Sequence, residues 1–420
     1  MISRRDRERN AHRLQPGPRP AWVRALNESC DPRWISLDPD ELLAEAQRSA
    51  GLSDFGGDGF REGLRVFLRA VEEEAQLHYV GRSLTRGDVL NLLDNRLRMT
   101  DWRKRYPEIG EVRVEKPLFI MGLPRTGTSI LHELLAQDPA HRVPLHWEVR
   151  SPCPPPESAS YATDPRIERA HREIRLWVEI VPEYDTMHEL GGALPVECIF
   201  ITQHEFLSEQ LCGTHQVPSY AAWLASADQR PAYAFHRRML QHLQWRCPRE
   251  RWVLKAPSHL TALDALISVY PDARIVWTHR DPLQVMGSVA SVLFATAWVR
   301  SDAVDGDRVL AWFDAATCAG LLANATRLRD SGIVPEAQCV DLLYRDLVSD
   351  PLGAIRGIYR HFDMELSREA EARMRAYLAA KPKDARGAHQ YGALAAGAER
   401  AALREHFAAY QQRFGVPSES

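Results

Sequence analysis

The segment 122–129, GLPRTGTS, combines glycines, hydroxyl side chains and one basic side chain in a short stretch. It follows an apolar run and precedes a helical pattern, and backbone N–H groups at the start of a helix bind anions well. Its two glycines let the backbone come close to a phosphate. Arg125 adds a positive charge, and Thr128 and Ser129 add two hydroxyl donors. The segment therefore predicts a phosphate-binding loop; the alternative is an ordinary glycine-rich turn between a strand and a helix.

One position of this loop departs from the GxxxxGKS/T pattern of nucleotide triphosphatases. The lysine of that pattern contacts the outer phosphates of a Mg²⁺-bound nucleotide, and here Thr128 takes its place. The loop is therefore suited to hold a phosphate but poorly equipped for ATP hydrolysis.

Two basic side chains follow apolar runs further along the chain. Arg280 comes shortly after the run RIVWT, and Lys255 directly after the run WVL. Side chains at the carboxyl ends of parallel strands point into the crevice where α/β sheets bind ligands, and a guanidinium suits a phosphate dianion. Ser288 lies about two turns into the helix predicted after Arg280. The alternatives are an ion pair between Arg280 and Asp281, a packing role for Ser288, and a solvated lysine at position 255.

Strand–loop–helix units are needed to place these residues. Apolar runs bounded by polar turns indicate buried strands at 117–121, 252–254 and 274–278, with a weaker one at 339–343. Units of this kind in series predict a parallel sheet covered by helices. The expected fold class is α/β, with a P-loop-like parallel sheet flanked by helices, a helical N-terminal cap and a helical insertion.

Helical patterns fill most of the remaining chain. They run from Asp38 to about residue 105 and, interrupted by prolines, from residue 164 to about residue 246. An insertion between two core strands is a natural place for an acceptor pocket. The predicted organisation is a flexible arm at 1–22, a helical N-terminal region at 23–112, and an α/β domain at 113–415 with a helical insertion at about 157–248.

Composition excludes several classes of function. The formal net charge of −3 argues against binding to nucleic acid by bulk charge. The seven cysteines are scattered without CxxC spacing, so neither a zinc site nor a disulfide framework is indicated, and a reducing cytoplasm fits best. The chain has no HExxH motif, and no apolar run of about 18 residues predicts a membrane span.

Taken in order, these motifs resemble those of the sulfotransferase family, in its bacterial branch with long N-terminal helices. PRTGTS at 124–129 is similar to the family's 5′-phosphosulfate loop, a basic residue followed by T/S-G-T/S-T/S. Arg280 and Ser288 match a second element, in which a strand, an Arg and a Ser eight residues later bind the 3′-phosphate of the nucleotide. The resemblance covers about residues 116–415.

Two further segments match later family elements. YRDL at 344–347, followed by Asp350-Pro351, is similar to a Y-E-D-L…D-P segment after a late core strand. The stretch 383–391, KDARGAHQY, resembles the loop that covers the nucleotide, where a basic residue before Gly contacts the 3′-phosphate. Arg386 and Gly387 are the matching positions.

The resemblance implies an enzyme that moves the sulfuryl group of 3′-phosphoadenosine 5′-phosphosulfate to a hydroxyl group. The acceptor would be a small molecule, a lipid or a carbohydrate, and no metal is implied. Lys255 and Arg125 are expected to stabilise charge on the transferring group and on the bridging oxygen. The expected donor-binding residues are Arg125, Thr126, Gly127, Thr128, Ser129, Arg280, Ser288, Arg386 and Gly387.

A general base is expected because the acceptor hydroxyl loses its proton as it attacks sulfur. Cytosolic family members use a histidine two residues after a lysine, but here Pro257 occupies that position. Other branches use a glutamate shortly after the helix that follows the loop, and Glu148 lies in that region. Glu148 is the favoured base, and His146 and His259 are the alternatives.

Two other functions compete with sulfuryl transfer. A nucleotide or small-molecule kinase predicts a lysine at position 128 and an acidic, metal-binding strand end, for which Asp281 is the one obvious candidate. A non-catalytic scaffold would keep the nucleotide-binding fold and bind adenosine 3′,5′-bisphosphate without transferring sulfate.

Overall fold

The computed structural model describes residues 17–182, 184–187, 189–381 and 397–419. Contacts divide the chain into two compact units. The helical unit comprises Met1–Arg113, Pro144–Pro248 and Val292–Arg308, and the sheet unit comprises Val114–Val143, Arg249–Ser291 and Val309–Ser420. The boundaries proposed from the sequence at residues 112–113 and about 157–248 stay a prediction.

The secondary structure alternates between strands and helices only in the sheet unit. In chain order the elements are α1 Ala21–Ser29, α2 Pro39–Ala50, α3 Phe60–Glu74, α4 Tyr79–Arg105, β1 Leu118–Met121, α5 Thr128–Leu135, β2 His141–Arg142, α6 His146–Arg150, α7 Pro165–Ile180, α8 Tyr184–Met187, α9 Ile199–Thr202, α10 Glu209–Thr214, α11 Pro218–Ser226, α12 Arg230–Gln244, β3 Arg251–Lys255, α13 Leu263–Val269, β4 Arg274–His279, α14 Pro282–Trp298, α15 Gly306–Trp312, α16 Ala315–Asp330, β5 Cys339–Leu343, α17 Tyr344–Ser349, α18 Pro351–His361, α19 Arg368–Ala380, α20 Gly397–Glu405 and α21 Ala408–Phe414.

The sheet is parallel throughout its described strands, in the order β2-β3-β1-β4-β5. The central strand β1 pairs with both neighbours, so that Leu118 lies opposite Val253 on β3 and Arg274 on β4. All four residues of β1 are buried, as expected for a strand covered on both faces. The four strands predicted from apolar runs are confirmed, as is the α/β fold class. The two-residue strand β2 was not predicted, because two residues are too few to show a pattern.

The core of the helical unit joins the N-terminal helices to the segment near residues 206–232. Phe60, Leu64 and Phe67 lie on one side of α3 at helical spacing and are fully buried. The ring of Phe67 packs edge-on against Tyr220 at 5.4 Å. The start of α2 is capped by Asp38, whose carboxylate accepts hydrogen bonds from the amides of residues 40 and 41.

One stretch, 306–330, is long and apolar enough to cross a membrane by length and composition, with a mean hydropathy of 1.2 in its best window. Two helices, α15 and α16, share this stretch. Asp314 separates them and caps α16 by accepting a hydrogen bond from the amide of Thr317. The sequence-based expectation of no membrane span stays a prediction.

Candidate functional site

The loop between β1 and α5 has the backbone that an anion site needs. Gly122 and Gly127 both adopt positive φ, at +150° and +89°. A Cβ on Gly127 would lie 2.7 Å from Leu347 Cδ2, so close packing as well as conformation requires glycine there. Gly127 is the N-cap of α5 and provides no side-chain cap. The first N–H groups of α5 are therefore served neither by the helix itself nor by a capping side chain.

Hydroxyl groups fasten this loop to the neighbouring strand. Thr126 donates a hydrogen bond from Oγ1 to the carbonyl of Leu123 at 2.7 Å, and this oxygen lies 2.6 Å from Thr278 Oγ1 on β4. The Thr126 hydroxyl therefore stabilises the loop. Thr128 is buried, and Ser129 is partly exposed.

Lys255 brings a buried positive charge to the start of α5. It is the last residue of β3, it pairs in register with Ile120 on β1, and its Nζ donates to Ser129 Oγ at 3.4 Å. Burial, and secondly the charge of Lys255, lower the pKa of the nearby His132 to about 3. His132 is therefore neutral at neutral pH and is not a general acid there.

Arg280 connects the loop to the end of β4. Its Nη1 donates to the carbonyl of Arg125 at 3.1 Å, and its guanidinium lies 4.1 Å from the centroid of the Tyr344 ring. Its Nε and Nη2 donate to the carboxylate of Glu419. The structure thus brings the loop, Lys255 and Arg280 together within the sheet unit.

Ser288 carries a polar atom that suits a ligand contact. Its side chain is 1% exposed, and its Oγ has no hydrogen-bond partner among the described residues. Buried hydroxyls without a partner are rare because desolvation costs free energy. A phosphate oxygen would supply the missing acceptor, so Ser288 fits an anionic ligand.

The candidate bases lie in different units. His259 belongs to the sheet unit, in the 3-10 helix Pro257–Leu260, where its buried ring packs edge-on against Phe119 at 5.0 Å. Glu148 belongs to the helical unit, in the first turn of α6, and is fully buried. Its Oε1 accepts a hydrogen bond from the hydroxyl of Tyr161 at 2.6 Å. Burial, and then the charge of Arg150, lower the pKa of His146 to about 4, which makes it a weak base.

Two predicted residues cannot be placed. Arg386 and Gly387 lie outside the described residues, as does the whole stretch 383–391 that resembles a nucleotide-covering loop. Among the residues that the structure describes, no group of three or more His, Cys, Asp or Glu side chains is arranged to hold a metal ion.

Sequence analysis gave no role at the candidate anion site to two side chains that contact Arg280. Tyr344, named only as part of the 344–347 segment, packs against both Arg280 and Gly127, and its position directly after β5 was the available signal. Glu419, which binds Arg280, has no such signal, because it follows the last helix and lies 139 residues away in sequence.

Comparisons with known proteins agree with this fold. A family model described as the sulfotransferase family matches residues 117–368. The crystal structure of the sulfotransferase STF1 from Mycobacterium tuberculosis H37Rv is 34% identical, with a TM-score of 0.77, and the match covers 89% of this chain and 99% of that one. STF9 from Mycobacterium avium is 31% identical, with a TM-score of 0.82, over 91% of this chain and 97% of that one.

A curated relative extends the comparison to a named reaction. It is the omega-hydroxy-beta-dihydromenaquinone-9 sulfotransferase Stf3 of Mycobacterium tuberculosis, 26% identical over 72% of this chain and 76% of its own length. The family match covers more than half of the chain and includes the loop, Lys255 and Arg280. The chain therefore belongs to the sulfotransferase family.

Proposed function

We propose that this sulfotransferase takes its sulfuryl group from 3′-phosphoadenosine 5′-phosphosulfate. The observation that supports this donor most strongly is the hydrogen bond between Arg280 and the carbonyl of Arg125, which links two anion-binding elements. The amides at the start of α5 would hold the 5′-phosphosulfate. Arg280 and Ser288 would bind the 3′-phosphate, together with Arg386 and Gly387. A donor with a phosphate at each end of its ribose needs two such elements.

The proposed reaction is an in-line displacement at sulfur. The acceptor oxygen forms a bond to sulfur while the bond between sulfur and the bridging phosphate oxygen breaks, and adenosine 3′,5′-bisphosphate leaves. Negative charge builds up on the bridging oxygen and is shared with the sulfuryl oxygens. Lys255 and Arg125 stabilise that charge, and the burial of Lys255 makes its charge more effective than it would be in water.

Glu148 is the proposed proton acceptor. It has an orienting partner in Tyr161, and it is a carboxylate withdrawn from bulk water. Pro257 occupies the position of the histidine that cytosolic family members use, and Glu148 lies where other branches of the family use a glutamate. His146 and His259 are the alternatives, and the low pKa of His146 disfavours it.

The acceptor is proposed to be a hydroxyl group of a small molecule, lipid or carbohydrate. The relative Stf3 is named for a hydroxylated menaquinone derivative. A primary alcohol at the end of an isoprenoid chain is therefore the first acceptor class to test. Soluble sugars and phenols serve as the comparison classes.

We place the reaction in the cytoplasm. All seven cysteines are free thiols. Burial raises the pKa of the Cys318 and Cys339 thiols to about 12, so neither is a reactive thiolate at neutral pH. Free, protonated thiols are typical of proteins in a reducing compartment.

Adenosine 3′,5′-bisphosphate is expected to stabilise the protein more than ATP with Mg²⁺ does. At about 100 times its Kd, a ligand that binds only the folded state adds about 2.7 kcal/mol to the free energy of unfolding. The measurement is the Tm at matched concentrations of the two nucleotides. A larger shift with ATP would favour the kinase alternative. If adenosine 3′,5′-bisphosphate raises the Tm but no acceptor in a broad screen receives sulfate, the non-catalytic scaffold would be favoured.

Replacing Lys255 by methionine is expected to lower turnover by about 10²–10³-fold, the usual effect of removing one preorganised charge donor. Methionine keeps most of the buried volume, so the loss of turnover should reflect the missing charge and not a cavity. Single-turnover transfer of labelled sulfate measures the effect, and Lys104→Met, at a lysine whose side chain is 61% exposed, is the matched control. Equal losses of turnover in both variants would rule out this role for Lys255.

A further inference from the structure

Glu419 binds Arg280 with the geometry in which a guanidinium binds a phosphate. Arg280 Nε donates to Glu419 Oε1 at 3.0 Å, and Nη2 donates to Oε2 at 2.9 Å. Such a two-point contact uses the guanidinium edge that would also bind two oxygens of a phosphate. The two side chains are 16% and 33% exposed, so the pair is partly shielded from water.

Backbone contacts fix the position of Glu419. Its amide donates to Asp281 Oδ2 at 2.8 Å, and its carbonyl accepts hydrogen bonds from Arg400 and Arg404, each at 3.2 Å. Arg404 also donates to Asp281 Oδ2 at 3.1 Å. Asp281 is buried and directly follows Arg280 in the chain. The backbone of Glu419 is thus attached beside Arg280 by groups that do not involve its own carboxylate.

Helix α21, which precedes Glu419 in the chain, is anchored to the end of β4 at His279. Burial lowers the pKa of His279, so its ring is neutral at neutral pH. Its Nε2–H donates to Asp341 Oδ1 at 2.8 Å, which leaves Nδ1 to accept a hydrogen bond from the Tyr410 hydroxyl at 2.8 Å. Phe414 stacks on the same ring at 4.3 Å. Gly415 then takes φ of +63° and ends α21, so the chain can return towards Asp281.

We propose that the Glu419 carboxylate is an internal competitor for the 3′-phosphate at Arg280. This inference rests on the proposed function, because it takes Arg280 as the residue that binds the 3′-phosphate. A ligand with a 3′-phosphate must displace the carboxylate, whereas a nucleotide without one leaves the ion pair in place. Because the backbone of Glu419 is held separately, only its side-chain torsions need to change.

The consequence for the reaction concerns both donor and product. Donor and product share the 3′-phosphate, so the competition weakens the binding of each. The carboxylate stays close to Arg280 after displacement, which gives it a high effective concentration for rebinding. Glu419 therefore speeds the departure of adenosine 3′,5′-bisphosphate, a product that would otherwise occupy the donor site.

Glu419→Gln is expected to lower the Kd for adenosine 3′,5′-bisphosphate by about tenfold, the effect of removing a competing ion pair worth about 1.4 kcal/mol. The Kd for adenosine 5′-phosphate should be unchanged. Calorimetric titration of both nucleotides measures the two constants. Glu405→Gln is the matched control, because it removes the same charge from an exposed position in α20 and should change neither constant.

Arg280→Ala separates this inference from the proposed function. Alone, it should raise the Kd for the bisphosphate by about 10–100-fold, the usual loss of a charge-assisted phosphate contact, and leave the Kd for adenosine 5′-phosphate unchanged. In that background Glu419→Gln should have no further effect. If the wild-type protein does not bind the bisphosphate more tightly than adenosine 5′-phosphate, or if Arg280→Ala weakens the binding of both nucleotides equally, Arg280 does not bind the 3′-phosphate and that part of the proposed function is wrong. If the wild-type preference is present and Glu419→Gln leaves the Kd within twofold, the inference about Glu419 is wrong.

Discussion

Glu148→Gln is expected to lower turnover by about 10²–10⁴-fold while leaving the affinity for adenosine 3′,5′-bisphosphate unchanged. The amide of glutamine cannot take the proton of the acceptor hydroxyl, so the variant should lose the contribution that general-base catalysis usually makes to the rate. Glutamine has the shape of glutamate, and its carbonyl oxygen can still accept the hydrogen bond from Tyr161. The substitution therefore tests proton transfer with little effect on packing.

The comparison variant is His259→Ala, which should be much milder. The substitution removes a buried ring that packs edge-on against Phe119, and if Glu148 is the base it leaves the proton acceptor in place. Single-turnover rates and Tm, measured on both variants, separate loss of chemistry from loss of folding. The reverse ranking of the two rates would assign the base to His259. Near-normal rates in both variants would leave His146, or an acceptor acidic enough to need no base.

Tyr161→Phe provides a second, graded test of the same proposal. It removes the hydroxyl that donates to Glu148 but keeps the carboxylate. A positioning role predicts a smaller loss of turnover than Glu148→Gln and a shift in the pH dependence of the rate, because the hydrogen bond stabilises the charged carboxylate. A loss as large as that of Glu148→Gln with an unchanged pH profile would contradict this assignment.

The sheet could be predicted from the sequence because its strands are short, continuous and apolar. β1, β3 and β4 each stand out as an apolar run before a polar turn, β5 is weaker because Asp341 interrupts its run, and their order along the chain fits a parallel sheet. The loop after β1 is equally local, since its glycines and the following helix are contiguous. What sequence patterns do not reveal is contact between distant segments. The attachment of α21 to His279 depends on residues more than 130 positions apart.

The residues of the candidate site could be predicted from the sequence, but the contacts that their side chains make could not. Arg280 was identified from its place after a strand, yet its contacts with Tyr344 and Glu419 follow only from the fold. Thr126 was predicted to bind the donor, and its hydroxyl contacts Leu123 and Thr278. A hydroxyl in a short loop has several acceptors within reach, and the sequence does not say which one it uses.

Lowering the pH below about 6.5 is expected to destabilise the helical unit steeply. Burial is the first cause that lowers the pKa of His204 and His236 to about 3, and of His146 and His242 to about 4. In the unfolded chain each would have a pKa of about 6.5. Between these values the unfolded state binds more protons than the folded state, so stability falls as the pH falls. Above about pH 6.5 all four are neutral in both states, and their contribution is fully present.

As the pH falls from about 6 towards the folded-state pKa, each of these histidines is expected to lower the free energy of unfolding by about 1.4 kcal/mol per pH unit. His204 offers the clearest single test, because its neutral ring is held at both nitrogens. Nδ1–H donates to the carbonyl of Ile201 at 3.0 Å, and Nε2 accepts from the Asn95 amide at 3.2 Å. His204→Gln changes the absolute stability, but it should also reduce the slope of stability against pH by the equivalent of one proton. Urea unfolding at pH 7.0, 6.0 and 5.0 gives that slope, with His361→Gln, at an exposed position, as the control. A slope equal to that of the wild type would mean that His204 takes up a proton without unfolding, and that the interior around it admits charge.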